Sequence, residues 1–171
     1  GLYDVNASGL EDVADQIGAA NCISAILDVR DRNSWASAIA GFSEATEKRM
    51  DILFNNAGIG GSGVPVDEMS LDYWRQTMSV NLDGVFLGIK HGVRAMKESG
   101  GAIINTSSIL GLVGLPNTAA YTASKGGVRL LTKAVAMECA ARGLNIRVCS
   151  VHPGFIDTPM VGGAIQRGGP E

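Results

Sequence analysis

Residues 102–107 read AIINTS, and residues 146–152 read IRVCSVH. Each is a short apolar run that ends in polar residues, a pattern that suits a strand buried on both faces of a parallel sheet. Two similar runs are ISAILD at 23–28 and ILFN at 52–55. Segments of helical periodicity lie before and between these runs, at about 10–17, 34–49, 71–98 and 119–142. Strands that alternate with helices predict an α/β fold with a doubly wound parallel sheet.

The helical segment at 71–98 carries an apolar stripe whose members are spaced by threes and fours. Such a stripe predicts contact with a sheet face. Val80, Phe86 and Leu87 lie off the stripe, so part of this helix could pack on another subunit. We therefore expect a homo-oligomer, a dimer or tetramer, with a deeply buried helix as the alternative. The stripe consists of Trp74, Met78, Leu82, Val85, Ile89, Val93 and Met96.

Length and composition limit the possible classes of protein. A chain of 171 residues with 46% hydrophobic residues suits one domain, which we take as 1–171. A net charge of −3 provides no basic excess for nucleic acid or anionic lipid. No apolar run approaches the roughly 20 residues that a membrane span needs. We expect a cytoplasmic protein without nucleic-acid or membrane partners.

Cys22, Cys139 and Cys149 lack paired metal or redox spacing, and we expect buried, reduced thiols.

A glycine-rich segment, GIGGSG at 58–63, matches the dinucleotide-binding pattern and follows a predicted strand. A phosphate-binding loop needs a helix that starts directly after it, so that free N–H groups meet the phosphates. Here residues 64–67, which include Pro65, come next. The context favours an ordinary loop over a phosphate site.

Tyr121 and Lys125 lie four residues apart on a predicted helix, and therefore on one face. The ordinary pKa of a tyrosine is about 10, and a nearby ammonium stabilises its phenolate. Tyrosine then becomes a usable acid or base. Ser108, at the end of the preceding strand and loop, could bind a carbonyl or alkoxide oxygen. The Tyr–Lys pair alone is weak evidence, because such pairs arise by chance on many helices.

Five motifs occur together in one order, and their combination resembles the short-chain dehydrogenase/reductase family. The resemblance runs from Asp4 to about Met160. It implies an enzyme that interconverts a secondary alcohol and a ketone by hydride transfer to or from NAD(H). The motifs are Asn55-Asn56-Ala57-Gly58, Asn81, Ser107-Ser108, Tyr121-Thr122-Ala123-Ser124-Lys125 and Pro153-Gly154.

The resemblance assigns four catalytic roles. Tyr121 would be the proton donor or acceptor, and Lys125 would stabilise its phenolate and hold the nicotinamide ribose. Ser108 would position the substrate oxygen, and Ser107 fits that role less well. Asn81 would help, through its main chain, to bind a water that connects Lys125 to solvent.

The resemblance also implies a cofactor site that prefers NAD to NADP. Asp4, at the end of a strand, would bind the ribose hydroxyls and repel a 2′-phosphate. Asp28 and Val29 would hold the adenine, Asn55 to Gly58 the adenosine side, and Pro153-Gly154 the nicotinamide. The implied cofactor-binding residues are Asp4, Asp28, Val29, Asn55, Ala57, Gly58, Tyr121, Lys125, Pro153, Gly154, Ile156 and Thr158.

The sequence departs from the family pattern because the family's phosphate loop and the strand before it are missing. Without that strand, we expect a gap in the sheet between the strand that ends at Asp4 and the one that ends at Asn55. We interpret the sequence as an incomplete record of a longer enzyme. The alternative is a catalytically incompetent fragment that acts as a non-catalytic subunit or binding module.

The sequence also indicates where a substrate would bind and what the two histidines do. Residues 110–117 and 155–163 are expected to border an apolar substrate pocket. Neither His91 nor His152 has metal-ligand spacing, so we expect structural roles for both, with His91 on a helix surface.

Overall fold

A computed structural model describes residues 1–61, 63–158 and 160 of the chain. Strands and helices alternate along it, as the sequence predicts. Short 3₁₀ turns follow α1 and β4, at Ala19–Asn21 and Ile109–Gly111. The elements are β1 (Leu2–Asp4), α1 (Ala7–Ile17), β2 (Ser24–Ile26), α2 (Arg32–Ala45), β3 (Ile52–Asn55), α3 (Leu71–Met78), α4 (Gly84–Met96), β4 (Gly101–Thr106), α5 (Ala119–Ala141) and β5 (Ile146–Val151).

All strand pairs are parallel, which confirms the predicted α/β class. In one sheet β1 pairs with β2, and Leu2 lies opposite Ser24. In the other sheet β4 is central, and Ile103 lies opposite Leu53 of β3 and Val148 of β5. Parallel strands place their carboxyl ends at one edge, so the loops after β3, β4 and β5 meet there.

The two sheets are not hydrogen-bonded to each other in the described residues. A cavity of about 310 Å³ lies between β1 and β3, with Tyr3 on one side and Leu53 on the other. This is the gap that the sequence predicts between the strands that end at Asp4 and Asn55.

The burial of the strands differs from the prediction that both faces are covered. Side chains alternate between faces along a strand, and the face of β3 that carries Leu53 and Asn55 packs against α4. Ile52 and Phe54 point to the other face, line the cavity and are 64% and 53% exposed. β2 is exposed along its whole length. In β4, which has a neighbour on each side, Ile103 and Asn105 are fully buried.

The predicted helix at 71–98 is interrupted. A π turn, Ser79–Asp83, joins α3 to α4, and the N–H of Gly84 donates to the carbonyl of Ser79. Leu87, which lies off the apolar stripe, packs with Trp35 and Ala38 of α2, so this chain covers it. Phe86 stays exposed.

α4 lies very close to the sheet because three glycines line its inner face. A Cβ on Gly84 would come within 2.7 Å of the Val29 side chain, and one on Gly92 within 2.7 Å of Leu53. A Cβ on Gly88 would overlap the side chain of Asn55. Gly88 and Gly92 therefore set the distance between α4 and β3, and Gly84 sets the distance between α4 and the loop after β2.

The cysteines do not share one environment. Cys139 is buried, as predicted, but Cys22 is half-buried and Cys149 is exposed, so the expectation of three buried thiols was wrong. Cys149 shares with Arg147 and Val151 a face of β5 that nothing covers in the described structure.

In the described part of the chain, no helix is long and apolar enough to cross a membrane.

Candidate active site

The candidate site lies at the carboxyl edge of the three-stranded sheet. A cavity of about 370 Å³ opens there, bordered by the loops after β3, β4 and β5 and by the first turns of α5. Its walls combine apolar side chains with a few polar ones, which is typical of small-molecule sites. The lining residues are Asn56, Gly58, Ile59, Thr106, Ser107, Ser108, Tyr121, Lys125, Pro153, Gly154, Ile156, Thr158 and Met160.

Lys125 is the buried cation of this site, with only 3% of its surface exposed. Its Nζ donates a hydrogen bond of 2.8 Å to the carbonyl of Thr106, the last residue of β4. Burial lowers the pKa of Lys125 to about 8, because water no longer solvates the ammonium. Lys125 held in this way is a fixed hydrogen-bond donor that loses its proton more easily than an exposed lysine does.

Tyr121 and Lys125 lie side by side, as their spacing on α5 predicts. The Lys125 Nζ is 5.6 Å from the centroid of the Tyr121 ring, and both residues line the cavity. The ammonium is therefore close enough to stabilise negative charge on the phenol through partly desolvated space.

Ser108 lies across the same cavity, on the loop after β4. It caps the 3₁₀ turn that follows, because its Oγ accepts a hydrogen bond of 3.1 Å from the N–H of Leu110. The neighbouring Ser107 instead donates through its Oγ to the carbonyl of Lys125, at 2.8 Å. Of the two serines, Ser108 keeps its hydroxyl proton available for another partner.

Asn81 is fully buried within the π turn. Its Oδ1 accepts from the N–H of Ile59 at 2.8 Å, and its Nδ2 donates to the carbonyl of Ile59 at 3.0 Å. The same Nδ2 lies 3.2 Å from the Oγ of Ser124 on α5. A Cβ on Gly58 would lie 3.3 Å from the Asn81 Oδ1 and 3.5 Å from the Lys125 Nζ, so the loop backbone passes close to both. The Asn81 side chain thus joins this loop to α5.

The residues predicted for the adenosine end of a dinucleotide lie around the cavity between β1 and β3. Asp4, Val29, Asn55 and Ala57 line it, and Asp4 is exposed. The carbonyl of Val29 accepts a hydrogen bond of 3.0 Å from the indole N–H of Trp35, and this bond holds Val29 in place.

Asp28 lies outside that lining and forms an ion pair with Arg30, with an Nη2–Oδ2 distance of 2.6 Å. Hydrogen bonds from the guanidinium and the backbone N–H of Arg30 lower the pKa of Asp28. An adenine amino group would have to share this carboxylate with Arg30. A contribution of Arg30 was not predicted from the sequence.

Asn55 and Asn105 belong to a polar network inside the sheet that was not predicted from the sequence. The Nδ2 of Asn55 donates to the Oδ1 of Asn105 at 2.8 Å, and the Nδ2 of Asn105 donates to the Oγ1 of Thr132 at 2.9 Å. The side chain of Asn55 therefore points into the protein, and a cofactor would meet its backbone. The signal for this network was an asparagine in each of two otherwise apolar strands, and these two residues lie opposite each other in the sheet.

The two cavities share Asn56, which lines both. Of the implied cofactor residues, Asp4, Val29, Asn55 and Ala57 line one cavity, Gly58, Tyr121, Lys125 and the segment after β5 line the other, and Asp28 lines neither. An extended dinucleotide laid along the sheet edge, past Asn56, could reach both sets. Asp4, Val29 and Ala57 would hold one end of such a group, and Tyr121 and Lys125 the other.

The segment GIGGSG at 58–63 does not lead directly into a helix. The next helix of the described chain, α3, begins at Leu71. Instead, the loop is held by Asn81 and by Tyr73, whose hydroxyl donates to the carbonyl of Gly60 at 2.9 Å. Its glycines serve a loop beside Lys125, not a phosphate-binding turn.

The fold and the site together define a class of protein, parallel α/β proteins with serine, tyrosine and lysine around one cavity at the carboxyl edge of the sheet. The chain belongs to the short-chain dehydrogenase family, whose family model matches residues 1–167. The resemblance seen in the sequence is thereby confirmed.

Characterised relatives and solved structures are similar over most of this chain. It is 50% identical over 142 residues, 83% of its length, to trans-4-hydroxycyclohexanecarboxylate dehydrogenase from Sinomonas cyclohexanicum. It is 42% identical over 154 residues, 88% of its length, to an NADP-dependent (R)-specific alcohol dehydrogenase from Lentilactobacillus kefiri. The crystal structure of levodione reductase superposes on 97% of the chain with a TM-score of 0.89 and 34% identity.

The chain is shorter than these proteins. It spans 53% of the Sinomonas enzyme, 60% of the Lentilactobacillus enzyme and 65% of the levodione reductase chain.

Proposed function

We propose that the protein is an oxidoreductase that transfers hydride between NAD(H) and a secondary alcohol or ketone. The observation that supports this most directly is the cavity where Tyr121, Lys125 and Ser108 meet, with Lys125 almost fully buried beside the tyrosine ring. A proton donor or acceptor, a cation that stabilises its charged form and a hydroxyl for the substrate oxygen are the parts that alcohol oxidation needs.

Bound NAD would supply the hydride acceptor. Tyr121 takes the hydroxyl proton of the substrate as the carbon–hydrogen bond breaks, so that one proton and one hydride leave the alcohol. Ser108 donates a hydrogen bond to the substrate oxygen and keeps it close to Tyr121. Lys125 stabilises the phenolate before the proton arrives, and its Nζ can also bind a ribose hydroxyl. In ketone reduction the same groups act in reverse, with Tyr121 as the acid.

We infer an alicyclic alcohol or ketone as the substrate class. Ile59, Ile156 and Met160 give the cavity an apolar wall that suits a ring of carbon atoms. The similarity to an enzyme whose name contains a hydroxycyclohexane supports the same class.

NAD is the proposed cofactor because Asp4 is an exposed carboxylate at the end of β1, where it can bind ribose hydroxyls and repel a 2′-phosphate. The Lentilactobacillus relative is NADP-dependent, so the family-level similarity does not fix this choice, and Asp4 carries the argument.

A homo-oligomer in the cytoplasm is also part of the proposal. Phe86 of α4 and Leu130 and Met137 of α5 are large apolar side chains that the described chain leaves exposed. Light scattering of the purified protein would measure the oligomeric state, and a monomer would contradict it.

The proposed activity is tested by titrating the purified protein with NAD and NADP and then measuring NAD-dependent oxidation of cyclohexanol. We expect selective NAD binding and turnover. Tyr121→Phe keeps the ring but removes the acid, so turnover should fall about 10²–10⁴-fold, the usual contribution of a general acid or base. NAD affinity should change little in this variant. Full turnover by Tyr121→Phe, or no binding of either nucleotide by the unmodified protein, would overturn the proposal.

A further inference from the structure

The loop after β4 is attached to the end of β5 by three hydrogen bonds. Two join backbone groups, from the N–H of Ser107 to the carbonyl of Val151 at 2.9 Å and from the N–H of Ile109 to the carbonyl of Pro153 at 3.0 Å. The third lies between them and comes from a side chain, since the Nδ1 of His152 is 3.0 Å from the carbonyl oxygen of Ser108. The first residues of the loop after β4 are therefore tied to the end of β5 by backbone and side-chain hydrogen bonds.

The partners of His152 determine how its ring is protonated. A carbonyl oxygen can only accept, so Nδ1 must carry the proton and donate to Ser108. The other nitrogen, Nε2, lies 2.9 Å from the Oγ of Ser150, a hydroxyl that can donate to a neutral ring. The half-buried ring is thus held at both nitrogens, by a residue of β5 on one side and by the loop on the other.

We infer that His152 is a positioning residue that acts through Ser108, an inference that rests on the proposed function. The His152 bond holds the peptide group that follows the Ser108 Cα, so it limits rotation of the backbone that carries the serine hydroxyl. The residue directly after His152 is Pro153, and Pro153 and Gly154 line the same cavity as Ser108. His152 therefore fixes the serine that holds the substrate oxygen relative to the segment proposed to hold the nicotinamide.

This role predicts an effect on the chemical step that a general packing role does not. The Ser108 carbonyl also accepts a hydrogen bond of 2.9 Å from the N–H of Gly111, within the 3₁₀ turn. Loss of the His152 donor therefore leaves Ser108 bound to the turn but no longer to the end of β5, and the serine hydroxyl shifts relative to the segment after β5. A displacement of about 1 Å at a catalytic group can cost on the order of 100-fold in rate. Nucleotide affinity depends on many other contacts and should stay nearly constant.

Two replacements of similar size separate the donor from the bulk of the ring. In His152→Asn the amide nitrogen stands the same number of bonds from the backbone as Nδ1, so it can still donate to Ser108. In His152→Gln the amide lies one carbon further out, near the position of Nε2, and the donor to Ser108 is lost. His152→Leu removes both polar contacts but keeps an apolar side chain.

The experiment measures kcat, KM for cyclohexanol and Kd for NAD in these three variants of the complete protein. Melting temperatures check that each variant folds. We expect kcat to fall about tenfold to 100-fold in His152→Leu and His152→Gln, the range that misplacement of a catalytic group produces. His152→Asn should recover most of the kcat, and Kd for NAD should change less than about threefold in all of them.

Equal kcat values in His152→Asn and His152→Gln would overturn the inference, as would a kcat for His152→Leu close to that of the unmodified protein. If His152→Leu does not fold, the Asn and Gln variants still decide the question. Tyr121→Phe and Ser108→Ala are measured alongside. If both remain active, the proposed function itself fails; if both lose turnover while His152→Gln keeps it, only the role of His152 is wrong.

Discussion

Asn81 binds both backbone groups of Ile59 with one side-chain amide, at 2.8 Å to the N–H and 3.0 Å to the carbonyl. The arrangement imitates one rung of a strand pair, although Asn81 lies in a π turn and Ile59 in a loop. It holds the loop that follows β3 beside Lys125 and the cavity.

Replacement of Asn81 by Leu should destabilise the protein and reduce turnover. The N–H and carbonyl of Ile59 would lose their partners in a part-buried place, and each unpaired group costs about 1–3 kcal/mol. We expect urea unfolding to show a loss of roughly 2–6 kcal/mol. Gln76→Ala changes an exposed side chain one turn earlier on α3 and is the control. A stability of Asn81→Leu equal to that of the control would show that the two bonds contribute nothing.

The buried lysine should make stability depend on pH above neutrality. The pKa of Lys125 falls from 10.5 to about 8 on folding, so below about pH 8 the residue is charged in both states and the full burial penalty applies. Between pH 8 and 10.5 the unfolded chain holds a proton that the folded chain lacks, so stability rises with pH.

Lys125→Met removes this titration. The free energy of unfolding of the unmodified protein relative to Lys125→Met should therefore increase by on the order of 3 kcal/mol from pH 8 to 10.5 without nucleotide. Lys133→Met changes an exposed position two turns along α5. The free energy of unfolding of the unmodified protein relative to this variant should not change with pH. A flat profile for Lys125→Met as well would mean that Lys125 is not desolvated.

The carboxylate of Asp4 should set nucleotide selectivity. Asp4→Asn keeps the size and an acceptor oxygen, which can still bind the N–H of Asn6, but removes the charge that would repel a 2′-phosphate. The ratio of the NADP and NAD dissociation constants should shift toward NADP by on the order of tenfold. Calorimetric titration measures both constants, and Asp12→Asn on the exposed side of α1 is the control. An unchanged ratio would mean that Asp4 does not contact the bound nucleotide.

Gly88 should be among the positions least able to accept a side chain. A Cβ there would overlap Asn55 and lie 2.9 Å from Trp35, so Gly88→Ala must push α4 away from the sheet. Overpacking of this kind costs about 1–3 kcal/mol. Gly41→Ala, on α2 with open space around it, should instead stabilise by about 0.5–1 kcal/mol. Thermal unfolding compares the two variants, and changes of the same sign would contradict the prediction.

Local patterns predicted the strands and the proximity of Tyr121 and Lys125, because both depend on short spacings. β3 runs from Ile52 to Asn55, as the apolar run predicts, and Tyr121 and Lys125 meet because they lie one turn apart. The break at Ser79–Asp83 could not be predicted, since one extra residue in a helix barely alters the apolar period. The contacts of Asn81 with Ile59 and of His152 with Ser108 join residues 22 and 44 positions apart, and only the sheet topology brings them together.

His91, predicted on a helix surface, is half-buried and stacks on Trp35.

The π turn also determines where the chain can tolerate changes in length. A turn of this kind holds one residue more than an α-helical turn. Deletion of one residue from Ser79–Asp83 would restore a continuous α-helix and rotate its two halves by about 100° relative to each other. Either the glycine face of α4 would leave the sheet, or Asn81 would leave Ile59. Natural variants of this protein should therefore gain or lose residues elsewhere, while this segment keeps its length through evolution.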